Sequence, residues 1–318
     1  MAVITPRKGV AEDQAAAAVW AEFLGANIDR FRRTMRMPMG EILGCGLFGC
    51  VFQSDGPWVV KITHDETEGE VWAYMAELLG DPEVSEDLDA FLRVKDVARI
   101  RPDVIFNGEE APVFGIVREE ALPVLVQGGI ATPETLRRVG VTEEMLSRAG
   151  VSEPSVNTLS REIHRFPEPQ RTWLRELFVV LVALQRYRKY ALEFYKWRGM
   201  ITHGDYGGLH QDEAEEIADA SFRDMLDSIT TMRGDGYVNQ FGEDIGKTLL
   251  SAVTFGDLVF RDLHLMNVGW RVHETIDGDR RPKCMVILDP GAMRTPYSPD
   301  IRELELLENR APYRGPQR

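Results

Sequence analysis

The apolar residues near the start of the chain recur with the 3.6-residue period of an amphipathic helix, which predicts a helix from Ala11 to about Arg36. The members of this apolar stripe are Trp20, Phe23, Leu24, Ile28 and Phe31. Between residues 40 and 63 the pattern changes to short β-type runs, separated by a glycine-rich turn and by Ser54–Pro57. Strand-like runs around such turns predict a β-hairpin.

An amphipathic pattern returns from Thr67 to Leu79, where we expect a second helix. Two more β-type runs follow, at residues 94–100 and 113–117. A sheet with one helix is the composition of a small lobe. We assign this lobe to residues 40–121 and treat residues 1–39 as a helical extension that precedes it.

Residues 122–170 are rich in Gly, Pro, Thr and Glu and contain a ten-residue repeat. TPETLRRVGV at 132–141 is followed directly by TEEMLSRAGV at 142–151. Each copy has the pattern of a Thr-capped helical turn that ends at Gly. We expect a compact helical insertion, and a mobile lid over the substrate is the alternative.

Long helices are predicted in the remaining residues, 171–318, where apolar residues again recur at helical spacing. The two stripes are Trp173, Leu177, Leu181, Leu184 and Leu192, then Ile217, Phe222, Leu226 and Ile229. Three short strand-like runs follow, at 258–260, 268–270 and 285–288. The chain is therefore predicted to be α+β, with a small β-rich lobe and a mainly helical large lobe.

The net charge narrows the class of partner, and the cysteine content bears on the cellular compartment. The 318 residues include 37 Lys and Arg against 51 Asp and Glu, a formal net charge of −14, which disfavours non-specific binding to nucleic acid or an anionic membrane. The apolar runs predict neither secretion nor membrane spanning. Cys45, Cys50 and Cys284 are expected to be free thiols in a reducing cytoplasm, and a redox switch at the first two is the alternative.

Phosphoryl transfer from a nucleotide requires backbone donors around the phosphates, a nearby lysine, oxygen ligands for magnesium, and a carboxylate beside the acceptor hydroxyl. The sequence offers candidates for all four in chain order. The first is LGCGLFGCV at 43–51, whose glycines allow a hairpin backbone to approach phosphate oxygens. A dinucleotide-binding turn shares this glycine spacing but requires a helix next, whereas a strand-like run follows here.

The second candidate is Lys61, which ends the apolar run Trp58–Val60. A lysine on a buried strand needs a partner of opposite charge. We prefer Glu70, on the predicted helix that follows. The alternatives are Glu66, Glu68 and Glu77.

The third candidate is the segment LVFRDLHLMN at 258–267, where Asp262 would orient the acceptor hydroxyl and Asn267 would hold a magnesium ion. The fourth is Asp289, which follows the apolar run 286–288 and precedes Pro290-Gly291. A carboxylate that leaves a strand before a sharp turn is well placed to bind a metal.

In this order the four segments resemble the motifs of the protein-kinase-like superfamily, which includes protein kinases and the aminoglycoside and choline phosphotransferases. Gly44 to Val51 resembles the glycine loop of the family, and Lys61 its strand lysine. Arg261-Asp262-Leu263 with Asn267 resembles the H-R-D-L-x-x-x-N loop, and Asp289-Pro290-Gly291 resembles D-F-G. The segments that carry the motifs are about 40–120 and 255–293.

The resemblance implies a bilobal fold, ATP and Mg²⁺ as cofactors, and a role for each matched residue. The residues implied to bind the nucleotide are Gly44, Gly46, Phe48, Gly49, Val51, Lys61, Glu70, Glu119 and Ala121, the last two in a hinge beside the adenine. The residues implied to act in catalysis are Asp262, Lys61 and Arg261, and those implied to bind the metal are Asn267 and Asp289.

The chain also departs from the family. His264 gives the loop the form D-L-H-x-x-N, which resembles small-molecule phosphotransferases more than protein kinases. The stretch after Gly291 contains no A-P-E-like triplet, so the large-lobe topology after D-P-G is expected to be atypical, with no need for activation-loop phosphorylation. A second segment, His203-Gly204-Asp205, resembles the H-G-D opening of antibiotic phosphotransferases. His210 stands where an Asn is required, so we prefer a glycine-rich turn between helices.

The sequence therefore predicts an enzyme that moves the γ-phosphate of ATP to a hydroxyl acceptor in the cytoplasm. A Ser or Thr of a protein is marginally favoured as the acceptor, because the complete glycine loop and the Arg-Asp pair are protein-kinase traits. The alternatives are a small-molecule kinase of aminoglycoside or choline type and a nucleotide-binding pseudokinase scaffold. Neither a nucleic acid nor a membrane is expected as a partner.

Overall fold

The protein is described by a computed structural model as two compact units. The first contains the chain up to Gly80 together with Arg93–Glu120, and the second contains Asp81–Leu92 and the chain from Ala121 onward. The residues that the structure describes are 8–35, 37–45, 49–80, 88–106, 109–204, 206–234, 239–255, 259–260, 263, 265–274, 280–289 and 293–294.

A five-stranded antiparallel sheet forms the centre of the first unit, with strand order β1-β2-β3-β5-β4. The strands are β1 (Ile42–Cys45), β2 (Gly49–Gln53), β3 (Trp58–Thr63), β4 (Val94–Phe106) and β5 (Glu109–Glu119). The central strand β3 has the sequence WVVKIT, whose β-branched residues Val59, Val60 and Ile62 are buried. The predicted hairpin and the two later β-type runs are confirmed.

Two helices belong to the same unit, α1 (Lys8–Met35) and α2 (Glu66–Gly80). Four apolar residues of α1 share one core cluster with residues of β2 and β3, so α1 is part of the hydrophobic core of the sheet. Its members from the helix are Trp20, Leu24, Phe31 and Met35, those from β2 and β3 are Cys50, Phe52, Val60 and Ile62, and β4 and β5 add Ile100, Val113 and Val117. Each large apolar side chain buried here contributes about 2 kcal/mol to stability.

The ten-residue repeat in the second unit forms two short helices, α3 (Pro133–Arg138) and α4 (Glu143–Ala149). Thr132 and Thr142 cap them by accepting backbone N–H groups, and Gly150 ends α4 in a left-handed conformation. The prediction of Thr-capped turns is therefore confirmed. A third short helix, α5 (Val156–Arg161), is capped in the same way by Ser155, which accepts the Thr158 N–H.

The repeat is tied to the interior of the second unit by a hydrogen bond. The Trp270 indole Nε1 donates to the Thr135 hydroxyl at 2.8 Å, and both side chains are fully buried. A segment held by buried polar pairing is costly to lift away. The structure therefore favours the compact insertion over the mobile lid.

Three longer helices follow, α6 (Gln170–Thr202), α7 (Gln211–Arg233) and α8 (Glu243–Phe255). Helix α6 packs along α7, and α7 packs against α8. Of the apolar stripe expected on α6, Leu177, Leu181 and Leu184 lie in the core, whereas Trp173 is half-buried and Leu192 is exposed. None of the helices within the described part of the chain has a stretch long and apolar enough to cross a bilayer.

The remaining strands form small sheets in the second unit. The strands are β6 (Ala121–Pro123), β7 (Leu125–Val126), β8 (Ile130–Ala131), β9 (Val259–Phe260), β10 (Val268–Glu274), β11 (Arg280–Ile287) and β12 (Met293–Arg294). β10 pairs with β11 on one side and β6 on the other, β9 pairs with β12, and β7 pairs with β8. The chain is thus α+β, with a five-stranded antiparallel sheet and a mostly helical remainder.

The expectation of three free thiols is wrong for Cys45 and Cys50, which form a disulfide. The antiparallel register of β1 and β2 pairs these two residues directly, with their Cα atoms 4.1 Å apart. Residue spacing alone does not show such register, so the bridge was foreseen only in the form of the redox-switch alternative. Cys284 is a free thiol, as expected, and burial raises its pKa.

Candidate functional site

The glycine-rich hairpin begins where β1 and β2 pair. Gly44 lies opposite Val51 in this pairing, and Val51 lies opposite Lys61 on β3. A Cβ on Gly49 would stand 2.7 Å from the Ile62 carbonyl oxygen, so glycine is required there for β2 and β3 to pair closely. Two residues assigned to phosphate binding, Gly46 and Phe48, lie outside the described residues.

Lys61 on β3 forms an ion pair and hydrogen bond with Glu68 on α2. Only 13% of the Lys61 side chain and 8% of the Glu68 side chain are exposed. Such a pair loses most of its hydration, so removing one partner leaves a buried charge without compensation. The preference for Glu70 is therefore corrected in favour of Glu68, which the sequence left as an alternative.

Helix packing explains why Glu68 is brought to the lysine. Glu68 shares the buried face of α2 with Val71, Trp72 and Met75, whereas Glu70 is half-buried. The spacing of three, four and seven residues places these four side chains on one side of the helix. The choice of Glu70 assigned the lysine partner to the wrong face.

The start of α2 holds Glu68 in place from the backbone side. Asp65 accepts the backbone N–H of Glu68 through Oδ1 at 3.3 Å and that of Gly69 through its carbonyl at 3.0 Å. A Cβ on Gly69 would overlap the ring of Phe114 on β5. Glycine therefore lets this turn of α2 pack closely on the sheet that carries Lys61.

In the second unit, the β10–β11 hairpin brings Asn267 and Asp289 to the same end of the pair. Val268 lies opposite Ile287, and the Leu288 N–H donates to the Asn267 carbonyl at 2.8 Å. Asn267 ends a 3₁₀ helix, Leu265–Asn267, just before β10, and Asp289 comes two residues after β11 ends. Two predicted metal ligands that are far apart in sequence are thus neighbouring features of one hairpin.

The donor set at this hairpin fits magnesium. Mg²⁺ in nucleotide sites is bound by one or two oxygen side chains together with phosphates and water. Asn267 supplies an amide oxygen and Asp289 a carboxylate. Among the residues that the structure describes, no group of three or more His, Cys, Asp or Glu is arranged to hold a metal ion. Any metal here would therefore rely on oxygens from a bound nucleotide as well.

The strand that leads into the predicted catalytic loop is held by two tyrosines from α6. The Phe260 N–H donates to the Tyr187 hydroxyl, and the Tyr195 hydroxyl donates to the Val259 carbonyl, each at 3.0 Å. Both tyrosines are buried, and burial raises the pKa of Tyr187. Sequence reasoning missed this pair. Its only signal is two tyrosines eight residues apart, which a helix places on one face.

A short segment before β4 anchors the β10–β11 hairpin from the other side. Ala90 accepts the Ile287 N–H at 2.7 Å and donates its own N–H to the Thr248 hydroxyl at 3.1 Å. Arg271 on β10 donates to the Phe91 carbonyl at 2.9 Å and pairs with Asp89. These contacts explain why residues 81–92 fall in the second unit although the sequence assigns them to the small lobe.

The predicted hinge coincides with a boundary between the two units. Glu119 ends β5 in the first unit, with its N–H donated to the Arg93 carbonyl at 2.8 Å. Ala121 begins β6 in the second unit, opposite Arg271 on β10. The chain therefore passes from one unit to the other between the two residues assigned to adenine recognition.

The two predicted catalytic residues of the loop, Arg261 and Asp262, lie outside the described residues, as does His264. The competing H-G-D segment is a glycine-rich turn between α6 and α7, as expected. His203 is the C-cap that follows α6, Gly204 and Gly207 have positive φ, and His210 is the N-cap that precedes α7. Asp205 lies outside the described residues.

Comparison with known proteins adds no assignment. No protein-family model matches the chain, and no curated protein is significantly similar to it.

Proposed function

We propose that this chain is an ATP-dependent phosphotransferase with a protein-kinase-like bilobal fold, which moves the γ-phosphate of ATP to a hydroxyl acceptor. The buried ion pair between Lys61 and Glu68 carries the proposal. Protein kinases use a lysine on the third strand, paired with a glutamate on the following helix, to hold the α- and β-phosphates. Lys61 lies on the third strand here, and Glu68 lies on the next helix, α2.

The pairing of the strands supports the same fold. The order β1-β2-β3-β5-β4, with α2 between β3 and β4 in the chain, joins the glycine hairpin directly to the lysine strand. In the second unit, one hairpin carries both proposed metal ligands, and β9, which precedes the proposed catalytic loop, pairs with β12, which follows the D-P-G motif. These pairings support the proposed fold.

Each proposed role follows from residue chemistry. Gly44 and Gly49 let the hairpin backbone donate to phosphate oxygens, and Lys61 neutralises their charge. Asn267 and Asp289 would hold magnesium, which supplies charge neutralisation at the β- and γ-phosphates. The acceptor oxygen bonds to the γ-phosphorus, the bond to the β–γ bridging oxygen breaks, ADP leaves, and the acceptor proton passes to the Asp262 carboxylate.

The proposal favours a Ser or Thr of a protein as the acceptor and a cytoplasmic location, where ATP is supplied. The Cys45–Cys50 disulfide weakens the argument from free thiols for a reducing compartment. Disulfides in cytosolic proteins are usually transient. We therefore include in the proposal that this bridge is reducible in the cell.

A transfer assay with γ-labelled ATP and Mg²⁺ tests the proposal. The acceptors are the chain itself, generic Ser/Thr protein substrates, and a panel that includes aminoglycosides and choline. We expect label in a protein acceptor with the wild-type chain and none with Asp262→Asn. Transfer to a panel metabolite alone would move the assignment to a small-molecule kinase. Nucleotide binding without any transfer would indicate a pseudokinase.

A further inference from the structure

A pocket of about 490 Å³ lies in the second unit between α6 and the 3₁₀ helix Leu265–Asn267, which pack against each other. Its lining, here called the α6 pocket, consists of Gln185, Arg188, Lys189, Leu192, Leu265 and Met266. The volume is within the range of sites that bind small ligands or a few side chains of a peptide. None of these six residues is among those proposed to bind the nucleotide, to bind the metal or to act in catalysis.

The geometry of α6 explains how the pocket forms. Gln185, Arg188, Lys189 and Leu192 are spaced by three, four and seven residues, so they share one face of the helix. Leu192 is 40% exposed and Met266 is 38% exposed, although both are large apolar residues. Exposed apolar side chains from two separate elements that meet in one concavity are typical of an interaction site.

Neighbouring residues extend this exposed apolar surface. Val182 is 48% exposed and continues the same face of α6 one turn before Gln185. Val126 on β7 is 43% exposed, and β7 packs against the 3₁₀ helix that carries Met266. A surface of this extent is suited to an extended polypeptide segment with several apolar side chains.

The charge of the pocket selects the kind of segment. Its two charged lining residues, Arg188 and Lys189, are both cationic, whereas the whole chain has a net charge of −14. An acidic polypeptide is therefore repelled by the average field of this protein and attracted locally at the pocket. Arginine and methionine, which the pocket supplies as Arg188 and Met266, are also enriched at protein interfaces.

The position of the pocket links it to the proposed reaction. Leu265 and Met266 directly precede the proposed metal ligand Asn267 and follow Asp262 in the proposed catalytic loop. We infer that the α6 pocket binds the acceptor polypeptide, through acidic and apolar residues that flank the phosphorylated Ser or Thr. This inference rests on the proposed function and adds to it the class of substrate.

Binding can be measured without nucleotide, so that the inference does not depend on turnover. Two fluorescently labelled Ser-containing peptides are compared on the full chain, one with Glu and Leu around the Ser and one with Lys in place of each Glu. We expect the wild-type chain to bind the acidic peptide at least about tenfold more tightly, with an affinity that falls as salt rises. Equal affinity for both peptides would overturn the inference.

Charge reversal at the pocket provides the matched test. Lys189→Glu, at an exposed position, should weaken binding of the acidic peptide by about threefold, and the double variant Arg188→Glu/Lys189→Glu should weaken it by at least about tenfold. Both variants should strengthen binding of the Lys peptide. The control is Arg175→Glu, the same charge change at an exposed position about 21 Å away along α6. If the pocket variants bind like Arg175→Glu, the inference is wrong. Circular dichroism checks that each variant is folded. If the double variant does not fold, the peptide affinity of Lys189→Glu alone decides the test.

The remaining outcomes separate this inference from the proposed function and from other occupants. If the wild-type chain transfers phosphate but binds peptides equally well with and without acidic flanking residues, the inference is wrong and the proposed function stands. If it binds the acidic peptide at the pocket but transfers nothing from ATP, the proposed function fails and the pocket remains a peptide site of another kind. Self-association that Lys189→Glu disrupts, without peptide binding, would identify the occupant as a second copy and overturn the inference.

Discussion

Lys61 and Glu68 form an ion pair across β3 and α2 in which at most 13% of either side chain is exposed. The helix start at Asp65 and the close approach at Gly69 fix this pair from the backbone. The arrangement is costly in hydration, since two charges are removed from water for one contact. The proposed role of Lys61 in binding phosphates would account for a pair that is so costly in hydration.

Loss of Glu68 should destabilise the first unit much more than loss of Glu77 on the same helix. Glu68→Gln leaves the Lys61 ammonium buried beside a neutral amide, which we expect to cost roughly 3 kcal/mol in the free energy of unfolding. Glu77→Gln removes the same charge from an exposed position and should cost less than about 1 kcal/mol. Urea unfolding followed by circular dichroism measures both. Equal losses would contradict the assignment of Glu68 as the lysine partner.

The tyrosine hydroxyl that accepts from Phe260 should matter to stability. Tyr187→Phe leaves a buried backbone N–H without its acceptor, and we expect a loss of about 1–3 kcal/mol. Tyr190→Phe is the matched control, because it removes a hydroxyl from a half-buried neighbour on the same helix. The comparison uses the same urea unfolding measurement. A Tyr187→Phe chain as stable as Tyr190→Phe would show that this hydrogen bond contributes nothing.

The pKa of Tyr187 predicts a pH dependence of stability at high pH. Burial raises this pKa above its usual value of about 10, so the folded chain keeps the proton while the unfolded chain loses it. The unfolded state then binds fewer protons, and the free energy of unfolding falls as pH rises above about 10. Denaturant unfolding at pH 9 to 11 measures this fall in the free energy of unfolding, which should be steeper for the wild-type chain than for Tyr187→Phe. Parallel pH profiles would contradict the shift.

The disulfide can be tested by counting reactive thiols. In denaturant without reductant, iodoacetamide should modify only Cys284, one of the three cysteines, and after reduction it should modify all three. In the folded chain Cys284 should react slowly near neutral pH, because burial raises its thiol pKa. Mass spectrometry reads the counts. Closing so short a loop contributes about 2 kcal/mol, so the reduced chain should also unfold at lower urea. Three modified cysteines before reduction would rule the bridge out.

Local patterns in the sequence predicted much of the fold. Periodicity located α1 and α2 to within a few residues, and the Thr caps and glycine stops of the repeat were visible in the sequence. The two strands of the hairpin next to Asn267 and Asp289 also correspond to apolar runs visible in the sequence, at 268–270 and 285–288. Such features depend on residues that are near each other in the chain.

The errors and omissions concern contacts that depend on register or on the face of a helix. Glu68 and Glu70 differ by two positions, and only the packing of α2 decides which one faces Lys61. The Cys45–Cys50 bridge depends on the β1–β2 register, and the contact of Tyr187 with Phe260 joins elements distant in sequence. None of these relationships has a local sequence signature.

ADP formation and acceptor phosphorylation, measured in parallel at saturating ATP and Mg²⁺, test the proposed phosphotransfer most directly. We expect equal amounts of the two products for the wild-type chain. We also expect a loss of at least about a hundredfold for Lys61→Met, which removes the proposed phosphate-binding cation, and for Asp289→Ala, which removes the proposed metal carboxylate. Undiminished turnover in Asp289→Ala would show that this carboxylate has no part in phosphotransfer and would contradict the proposal.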